Sequence, residues 1–366
     1  FVDRLGDPQI PPGSKVVATL CNTVPVEPIL ALGAVPARID CGNPALVPAG
    51  EEVLSGEICP LAKATFAGFL DETSLPARAA CIVVAGTCDA KRKLGEALAD
   101  YKPTFVLPLP PEQDYDRYWK PAVAEIERLV GFLEEHIGER LRTGALRSAI
   151  DLTRRRTRLV RELAEVRAEK PEALSVRDLT AIVQSGFVLT EPEEWIRRTE
   201  AVLEDVRTFA PTRERLRPRL VLTGAPIIWP NFKPLNLIEE CGADVVADTL
   251  CSGVQSLYDP VVVDERGRAA LLRALAQRYF FAAPCPCFVS SAKRLNRVLE
   301  LAERHRADGV VHYGLRLCQL FDMEVPRLSA VLKERRIPFM SLRTDYSLED
   351  TEQLRVRLEA FLETLA

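Results

Sequence analysis

Several residue types and motifs that point to common functions are scarce or absent in this chain of 366 residues. It contains three histidines and two methionines, and no two cysteines are spaced as CxxC. The missing CxxC pair argues against zinc ribbons, thioredoxin-like redox pairs and ferredoxin-type cluster motifs. Neither GxGxxG nor the pattern GxxxxGKS/T occurs, and there is no GxSxG elbow. The chain is therefore not expected to bind ATP through a P-loop.

Long apolar runs and an excess of one charge are missing as well. No stretch approaches the ~20 apolar residues that a transmembrane helix needs. The first residues, FVDRLGDPQIPPGSK, lack a basic segment followed by an apolar one, so no signal peptide is predicted. Because residue 1 is Phe, the chain is expected to have been trimmed before it. A net charge of −4 predicts neither a nucleic-acid nor a membrane partner, and a cytoplasmic protein is expected.

Cysteine, by contrast, is abundant. The chain has ten cysteines, and in the cytoplasm glutathione would keep disulfides reduced. Together with the few histidines, this number favours a metal held by thiolates, as in iron–sulfur clusters, over a Cys/His zinc site. The competing interpretation is that all ten are core thiols, since free cysteine is among the most buried residue types.

The apolar pattern of the first third predicts β-strands joined by helices. Short apolar runs predict buried strands at 15–20, 80–86 and 103–109. The segments VPVEPILALGA and AKRKLGEALADY between them are predicted to be helices. This alternation is typical of βαβ units and of a parallel sheet. We therefore assign the chain to the α/β class, with an N-terminal α/β lobe over residues 1–115.

The apolar spacing then changes to that of helices and later returns to strands. Over residues 116–210 we predict a helical insert, with Ser175 and Thr190 as N-caps. The arginine-rich stretch Arg154 to Lys170 is interpreted as a solvated helix face, because glutamates alternate with its basic residues. After the connector PTRERLRPR, strands are predicted at 220–226, 243–249, 308–314 and 337–345. Residues 211–366 are thus predicted to form a C-terminal α/β lobe.

Seven cysteines lie in loop-like segments or just beyond predicted strands, where parallel sheets bind their ligands. In both halves a cysteine follows an apolar strand and precedes a helix, and Cys88 and Cys318 have the matching places. A helix N-terminus offers N–H groups to an anion. The candidate ligands are Cys21, Cys59, Cys88, Cys251, Cys285, Cys287 and Cys318. By contrast, three cysteines are predicted to be small buried side chains: Cys41 after the strand-like segment ARID, Cys81 in a strand and Cys241 on a helix.

Other polar side chains are weaker candidates, and no catalytic residue is assigned. Acid or base roles are considered for His312, Glu27, Glu239 and Glu240, with a structural or solvated role preferred for each. A group of three basic residues follows Cys88 and either binds an anionic substrate or flanks the metal centre: Lys91, Arg92 and Lys93.

Six separated segments resemble, in the same order, the D-component family of 2-hydroxyacyl-CoA dehydratases and benzoyl-CoA reductases. The resemblance extends from about Lys15 to Phe361. The segments are CNTVPVEPILALGAVPARI, ICPLAKATF, GTCDAKRKL, IEECGADVVADTLCSG, ADGVVHYGLRLCQ and LRTDYSLEDTEQLRVRLEAF. The resemblance implies two Rossmann-like, flavodoxin-like lobes with an iron–sulfur cluster in the cleft between them. It further implies three cysteine ligands matching Cys59, Cys88 and Cys318, and an ATP-hydrolysing iron–sulfur activator, a homodimer of the actin/hexokinase type, that supplies low-potential electrons.

Within this family, Cys21, Cys251 and the segment PCPCF are similar to the double-cubane cluster proteins, which are homodimers with an 8Fe-9S cluster. Such a cluster needs six thiolates, which these cysteines supply if one of Cys285 and Cys287 is a ligand. The implied function is an ATP-driven reductase of a small substrate. The alternatives are a 4Fe-4S subunit of a heterodimeric 2-hydroxyacyl-CoA dehydratase or benzoyl-CoA-type reductase, and a non-catalytic electron or cluster carrier.

Overall fold

The described residues form two four-stranded sheets in which all strands are parallel. The computed structural model describes residues 1–212 and 217–365, so residues 213–216 of the predicted connector lie outside the described residues. The sheet orders are β2-β1-β3-β4 and β6-β5-β7-β8, one topology used twice. This confirms the predicted α/β class with two Rossmann-like lobes. Strands β1 to β8 are Val16–Leu20, Val35–Arg38, Cys81–Ala85, Thr104–Leu107, Arg219–Gly224, Asp244–Asp248, Gly309–Leu315 and Phe339–Thr344.

Helices connect the strands in the predicted alternation. In the first lobe, α1 to α5 are Val2–Gly6, Glu27–Ala31, Val47–Glu51, Pro60–Ala67 and Asp89–Ala99. Four further helices, α6 to α9, are Tyr115–Ile137, Thr143–Glu169, Val176–Ser185 and Pro192–Thr208. In the second lobe, α10 to α14 are Lys233–Glu240, Arg268–Ala276, Ala292–Arg304, Gln319–Glu334 and Thr351–Glu363. Over the described ranges, no helix is both long and apolar enough to cross a membrane.

The first βαβ unit differs from the sequence prediction. The helix predicted over VPVEPILALGA is confined to α2: Pro28 stands in its first turn, and the chain leaves it through Gly33, whose φ is +73°. Strand β2 follows at once, and the sequence indicates strand character only for the overlapping segment ARID, residues 37–40. It pairs with β1 in parallel, with Val35 opposite Val16.

One of the two predicted N-caps is confirmed. The Ser175 hydroxyl accepts a hydrogen bond from the backbone N–H of Asp178 at 2.9 Å, at the start of α8. The prediction for Thr190 is wrong, because α9 begins at Pro192 and Glu191 has the N-cap place without a side-chain bond. Proline suits the first helical position because its φ is already helical and its missing N–H would have no partner there.

Helix α7 contains the arginine-rich stretch, and the expectation of a solvated face is wrong for two of its arginines. Arg156 and Arg167 are 3% and 2% exposed. Their guanidinium groups are buried because α7 packs against α2, α9 and β6. Arg156 donates to the carbonyl oxygen of Gly186, just after α8, and Arg167 donates to that of Val245 in β6. The glutamates of the stretch do form exposed ion pairs, such as Glu169 with Arg306 at 3.0 Å.

The hydrophobic cores connect the three predicted domains. Leu129 of α6 packs beneath the N-terminal sheet together with Leu271 of α11, which comes from the second half of the chain. Helices α8 and α9 instead share a core with β5 and β7 of the C-terminal sheet. The predicted helical insert therefore divides its packing between the two lobes, and the three-domain division stays a prediction.

Candidate metal centre

Most of the predicted ligands line one cavity at the carboxyl ends of strands from both sheets. The cavity has a volume of about 80 Å³ and is lined by residues that end or follow β1, β3, β6 and β7. In each sheet the strand order reverses beside the first and third strands, and such a switch point forms the usual ligand crevice. Three cysteines come from each lobe: Cys21, Cys59 and Cys88, and Cys251, Cys285 and Cys318.

Three of these cysteines have the same place in their helices. Cys59, Cys88 and Cys318 are the N-cap residues of α4, α5 and α13. The Cys88 sulfur accepts a hydrogen bond from the backbone N–H of Lys91 at 3.4 Å. The positive end of a helix dipole and its free N–H groups favour a thiolate or an anionic cluster. The match between Cys88 and Cys318 predicted from the sequence is therefore seen in the fold.

The other three cysteines lie in the segments that follow β1, β6 and α11. Cys21 follows β1 with φ of +84°, a conformation that is rare for residues other than glycine. Its sulfur accepts a hydrogen bond from the Thr23 hydroxyl at 3.4 Å. Cys251 follows β6, and Cys285 lies between Pro284 and Pro286, which cannot donate backbone hydrogen bonds.

A buried carboxylate connects the loops of the N-terminal lobe. Asp40 pairs with Arg38 at 2.6 Å and with Lys91 at 3.0 Å, and its side chain is 1% exposed. It also accepts a hydrogen bond from the backbone N–H of Cys21 at 3.1 Å. Arg38 in turn donates to the carbonyl oxygen of Cys251 at 2.7 Å. We call Arg38, Asp40 and Lys91 the charged triad; it holds one positive charge in excess beside the cysteines.

The cavity environment keeps most of these thiols protonated in the metal-free protein. Burial raises the pKa of Cys59, Cys88 and Cys318, and it raises that of Cys251 to about 12. Burial would raise the pKa of Cys21 too, but the charges of Lys91 and Arg38 outweigh it and lower the pKa. The thiols also raise one another's pKa through like charge, as Cys59 does for Cys318. Metal must therefore displace protons to bind here.

The remaining cysteines lie outside this cavity. Cys287 does not line it; its hydrogen bond with Cys285, together with burial, raises the pKa of Cys285. Cys81 is completely buried in β3, as predicted. Cys41 and Cys241 are half-buried rather than buried and contact the C-terminal core; Cys41 lies in the loop after β2, and Cys241 directly follows α10.

The weaker candidates have mostly structural roles. His312 is fully buried in β7, and burial lowers its pKa to about 4, so its ring is neutral. It does not line the cysteine cavity. Glu239 accepts from the N–H of Val176, and Glu240 pairs with Arg355. Of the three basic residues after Cys88, only Lys91 lines the cavity.

Within residues 1–212 and 217–365, no three His, Cys, Asp or Glu side chains converge on one point where a single metal ion would bind. The six thiols instead surround the cavity from two lobes. A ring of thiolates with neighbouring cations suits a polynuclear, negatively charged cluster better than a single ion.

Comparison with known proteins identifies the family. The family model described as 2-hydroxyglutaryl-CoA dehydratase, D-component, matches residues 21–365. The chain belongs to this D-component family. The family confirms the resemblance stated from the sequence and supports an enzymatic role as a dehydratase or reductase subunit.

Relatives of this D-component chain are similar over almost their whole length. YjiM from Escherichia coli K12 is 32% identical to this chain, and the match covers 96% of this chain and 92% of YjiM. Its name describes it as a dehydratase subunit without an established activity. The beta subunit of (R)-2-hydroxyglutaryl-CoA dehydratase from Acidaminococcus fermentans is 22% identical, covering 96% and 93%. One of the subunits of benzoyl-CoA reductase from Thauera aromatica is also 22% identical, covering 97% and 92%.

Two members of the charged triad of this D-component chain are missing from the sequence prediction. Arg38 ends β2 and Asp40 follows it, in the segment ARID. A basic and an acidic residue at a strand end look like ordinary loop residues. One signal could have found them: they stand at the end of β2, which pairs with β1, and Cys21 follows β1 at the same edge of the sheet. Using that signal requires β2 to be predicted as a full strand.

Proposed function

We propose that this chain is an iron–sulfur reductase whose cluster, an 8Fe-9S double cubane, is bound by Cys21, Cys59, Cys88, Cys251, Cys285 and Cys318. The observation that carries the proposal is that these six thiols, three from each lobe, line one cavity. Cys285 is favoured over Cys287 because only Cys285 lines it. The bound cluster would supply low-potential electrons, one at a time, to a small substrate.

The protein side chains have separate tasks in this proposal. The N-cap cysteines direct helix N–H groups and dipoles at the centre, which favours added negative charge. The charged triad contributes one net positive charge and holds the Cys21 and Cys251 loops together. The lobes enclose the cavity and limit the access of water. Electrons are proposed to come from a separate ATP-hydrolysing iron–sulfur activator, with this chain acting as a cytoplasmic homodimer.

The decisive experiment is to measure iron and acid-labile sulfide per chain in protein purified without oxygen, together with the oligomeric state by light scattering. About eight irons per chain, in a protein that is a homodimer, are expected for the double cubane. No iron, even after reconstitution, would overturn the proposal. Cys318→Ser should lose iron, while Cys241→Ser, outside the cavity, should keep it.

A second candidate function is a 4Fe-4S subunit of a heterodimeric dehydratase or acyl-CoA reductase. It is favoured by the names of the relatives, which are single subunits of larger enzymes. In that case Cys59, Cys88 and Cys318, the three N-cap cysteines, would hold the cluster. About four irons per chain and a copurifying homologous chain would support it.

A further inference from the structure

A second cavity adjoins the cysteine cavity and has a different lining. Its volume is about 80 Å³, the same as that of the cysteine cavity. Cys21, Asn22 and Arg38 line both cavities, which therefore share one wall. The rest of the lining comes from β1, α2 and α7, from the segments between α8 and α9 and between β6 and α11, and from the residues that follow α11.

Two arginines of this second cavity are buried without a carboxylate partner. Arg156 donates to the Gly186 carbonyl oxygen at 2.9 Å, and its Nε has no hydrogen-bond partner. Arg278 is 8% exposed and donates only to backbone carbonyl oxygens, such as that of Ser256 at 2.8 Å. In the part of the chain that the structure describes, neither guanidinium forms an ion pair.

The two carboxylates in the lining do not balance these charges. Asp259 is already paired with Arg297 at 3.1 Å. Glu27 is 1% exposed, and its two oxygens accept hydrogen bonds from Thr153 at 2.8 Å and Tyr279 at 2.9 Å.

One positive charge is therefore in excess in the second cavity. Arg38 is neutralised by Asp40 at 2.6 Å, so Arg156 and Arg278 remain opposite the single charge of Glu27. An uncompensated buried charge is costly, and a negatively charged ligand would offset that cost.

We propose that this second cavity, the anion pocket, binds the substrate, and that the substrate is a small monoanion such as a short carboxylate or an oxyanion of similar size. Arg156 and Arg278 hold its charged end, and the shared wall places it next to Cys21 and the metal centre. The proposal includes a size limit: aromatic acids and large esters are expected not to bind. The inference rests on the proposed reductase function, whose substrate class it names.

The test is isothermal titration calorimetry of the oxygen-free, iron-loaded protein with formate and acetate. Formamide and acetamide serve as neutral analogues of the same shape, and benzoate tests the size limit. Formate and acetate should bind, and the amides and benzoate should not. Arg156→Gln should weaken formate binding at least about tenfold, because it removes a charge-assisted contact. Arg156→Lys should restore most of the affinity, and Arg158→Gln, at an exposed position of α7, should leave it unchanged.

Several results would overturn the proposal. The first is that formamide binds with the same affinity as formate. The second is that the Arg156→Gln variant binds formate as tightly as the unaltered protein does. The third is that chloride binds as tightly as formate, which would indicate a counter-ion site. If Arg156→Gln does not fold, the comparison of formate with formamide on the unaltered protein decides alone. Formate should also change the EPR spectrum of the reduced, iron-loaded protein; binding without that change would refute the substrate role. Iron content is measured separately, so a failed anion pocket and a failed metal centre are distinguishable.

Discussion

Asp40 is the residue on which the contacts of the candidate metal centre converge. Burial would raise its pKa, but the charges of Lys91 and Arg38 outweigh it and hold the pKa well below the usual range. The carboxylate therefore stays ionised and keeps two cations in place beside the thiols. It reaches the Cys21 loop directly and the Cys251 loop through Arg38. One side chain thus couples loops that belong to different lobes.

Replacing Asp40 with Asn should be strongly destabilising. The change leaves Arg38 and Lys91 buried beside each other without their shared anion, and breaking such a buried pair costs about 3–5 kcal/mol. Urea unfolding of the metal-free protein should show a lower midpoint. In any variant protein that retains iron, the midpoint potential should move in the positive direction, because the net charge around the centre rises. Asp100→Asn, at an exposed position after α5, should change neither quantity.

Cys285 and Cys287 are close in the chain but have different surroundings. Only Cys285 lines the cavity. Cys285→Ser should therefore lower the iron content per chain, whereas Cys287→Ser should retain it. Iron analysis and the EPR spectrum after anaerobic reconstitution would measure this difference. Equal iron loss in both variants, or loss only in the Cys287 variant, would contradict the assignment of Cys285.

At the scale of the elements, the sequence predicts those whose local pattern is complete. Seven of the eight strands coincide with predicted apolar runs, and the long helices α6 to α9 follow the apolar spacing. Strand β2 is recognised only as the strand-like segment ARID, because the helix predicted over VPVEPILALGA extends to Ala34, directly before β2. The burial of Arg156 and Arg167 is missed for another reason: it depends on what α7 packs against, which its own sequence does not contain.

The caps of α8 and α9 give a matched pair for testing this element-level analysis. Ser175→Ala removes the side-chain acceptor of the Asp178 N–H and should cost about 1 kcal/mol. Thr190→Ala should be close to neutral, because Thr190 is outside α9 and makes no cap bond. The shift of the urea midpoint measures both. A larger loss for the threonine variant would show that the cap assignment is wrong.

At the scale of the whole molecule, the site depends on how the lobes face each other. The sequence shows cysteines just after predicted strands, and parallel topology brings those strand ends to one edge of each sheet. The sequence does not predict which cysteines of the N-terminal lobe lie opposite which cysteines of the C-terminal lobe, because no local pattern encodes the contact between the lobes. That contact includes Gly42, which follows β2 and donates its N–H to the Trp229 carbonyl oxygen at 3.0 Å.

Gly42→Ala should open this contact between the lobes. A Cβ there would stand 1.9 Å from the Ile228 carbonyl oxygen, which is backbone and cannot move aside alone. We expect a lower unfolding midpoint and a reduced capacity to bind iron, since three thiols come from each lobe. Gly131→Ala, in the exposed part of α6, meets nothing within 4 Å and should be neutral or slightly stabilising. Unchanged iron binding in the Gly42 variant would show that the lobe contact does not support the centre.

At Cys21 the side chain needed for the proposed cluster and the residue preferred by the backbone are different. Its φ of +84° costs a residue other than glycine about 1–2 kcal/mol, and glycine adopts it freely. A protein engineer who replaced residues in this conformation with glycine to raise thermal tolerance would choose this position early. Such a variant would gain heat resistance and lose one of the six thiols that line the cysteine cavity, so the proposed function predicts a more stable protein that binds less iron.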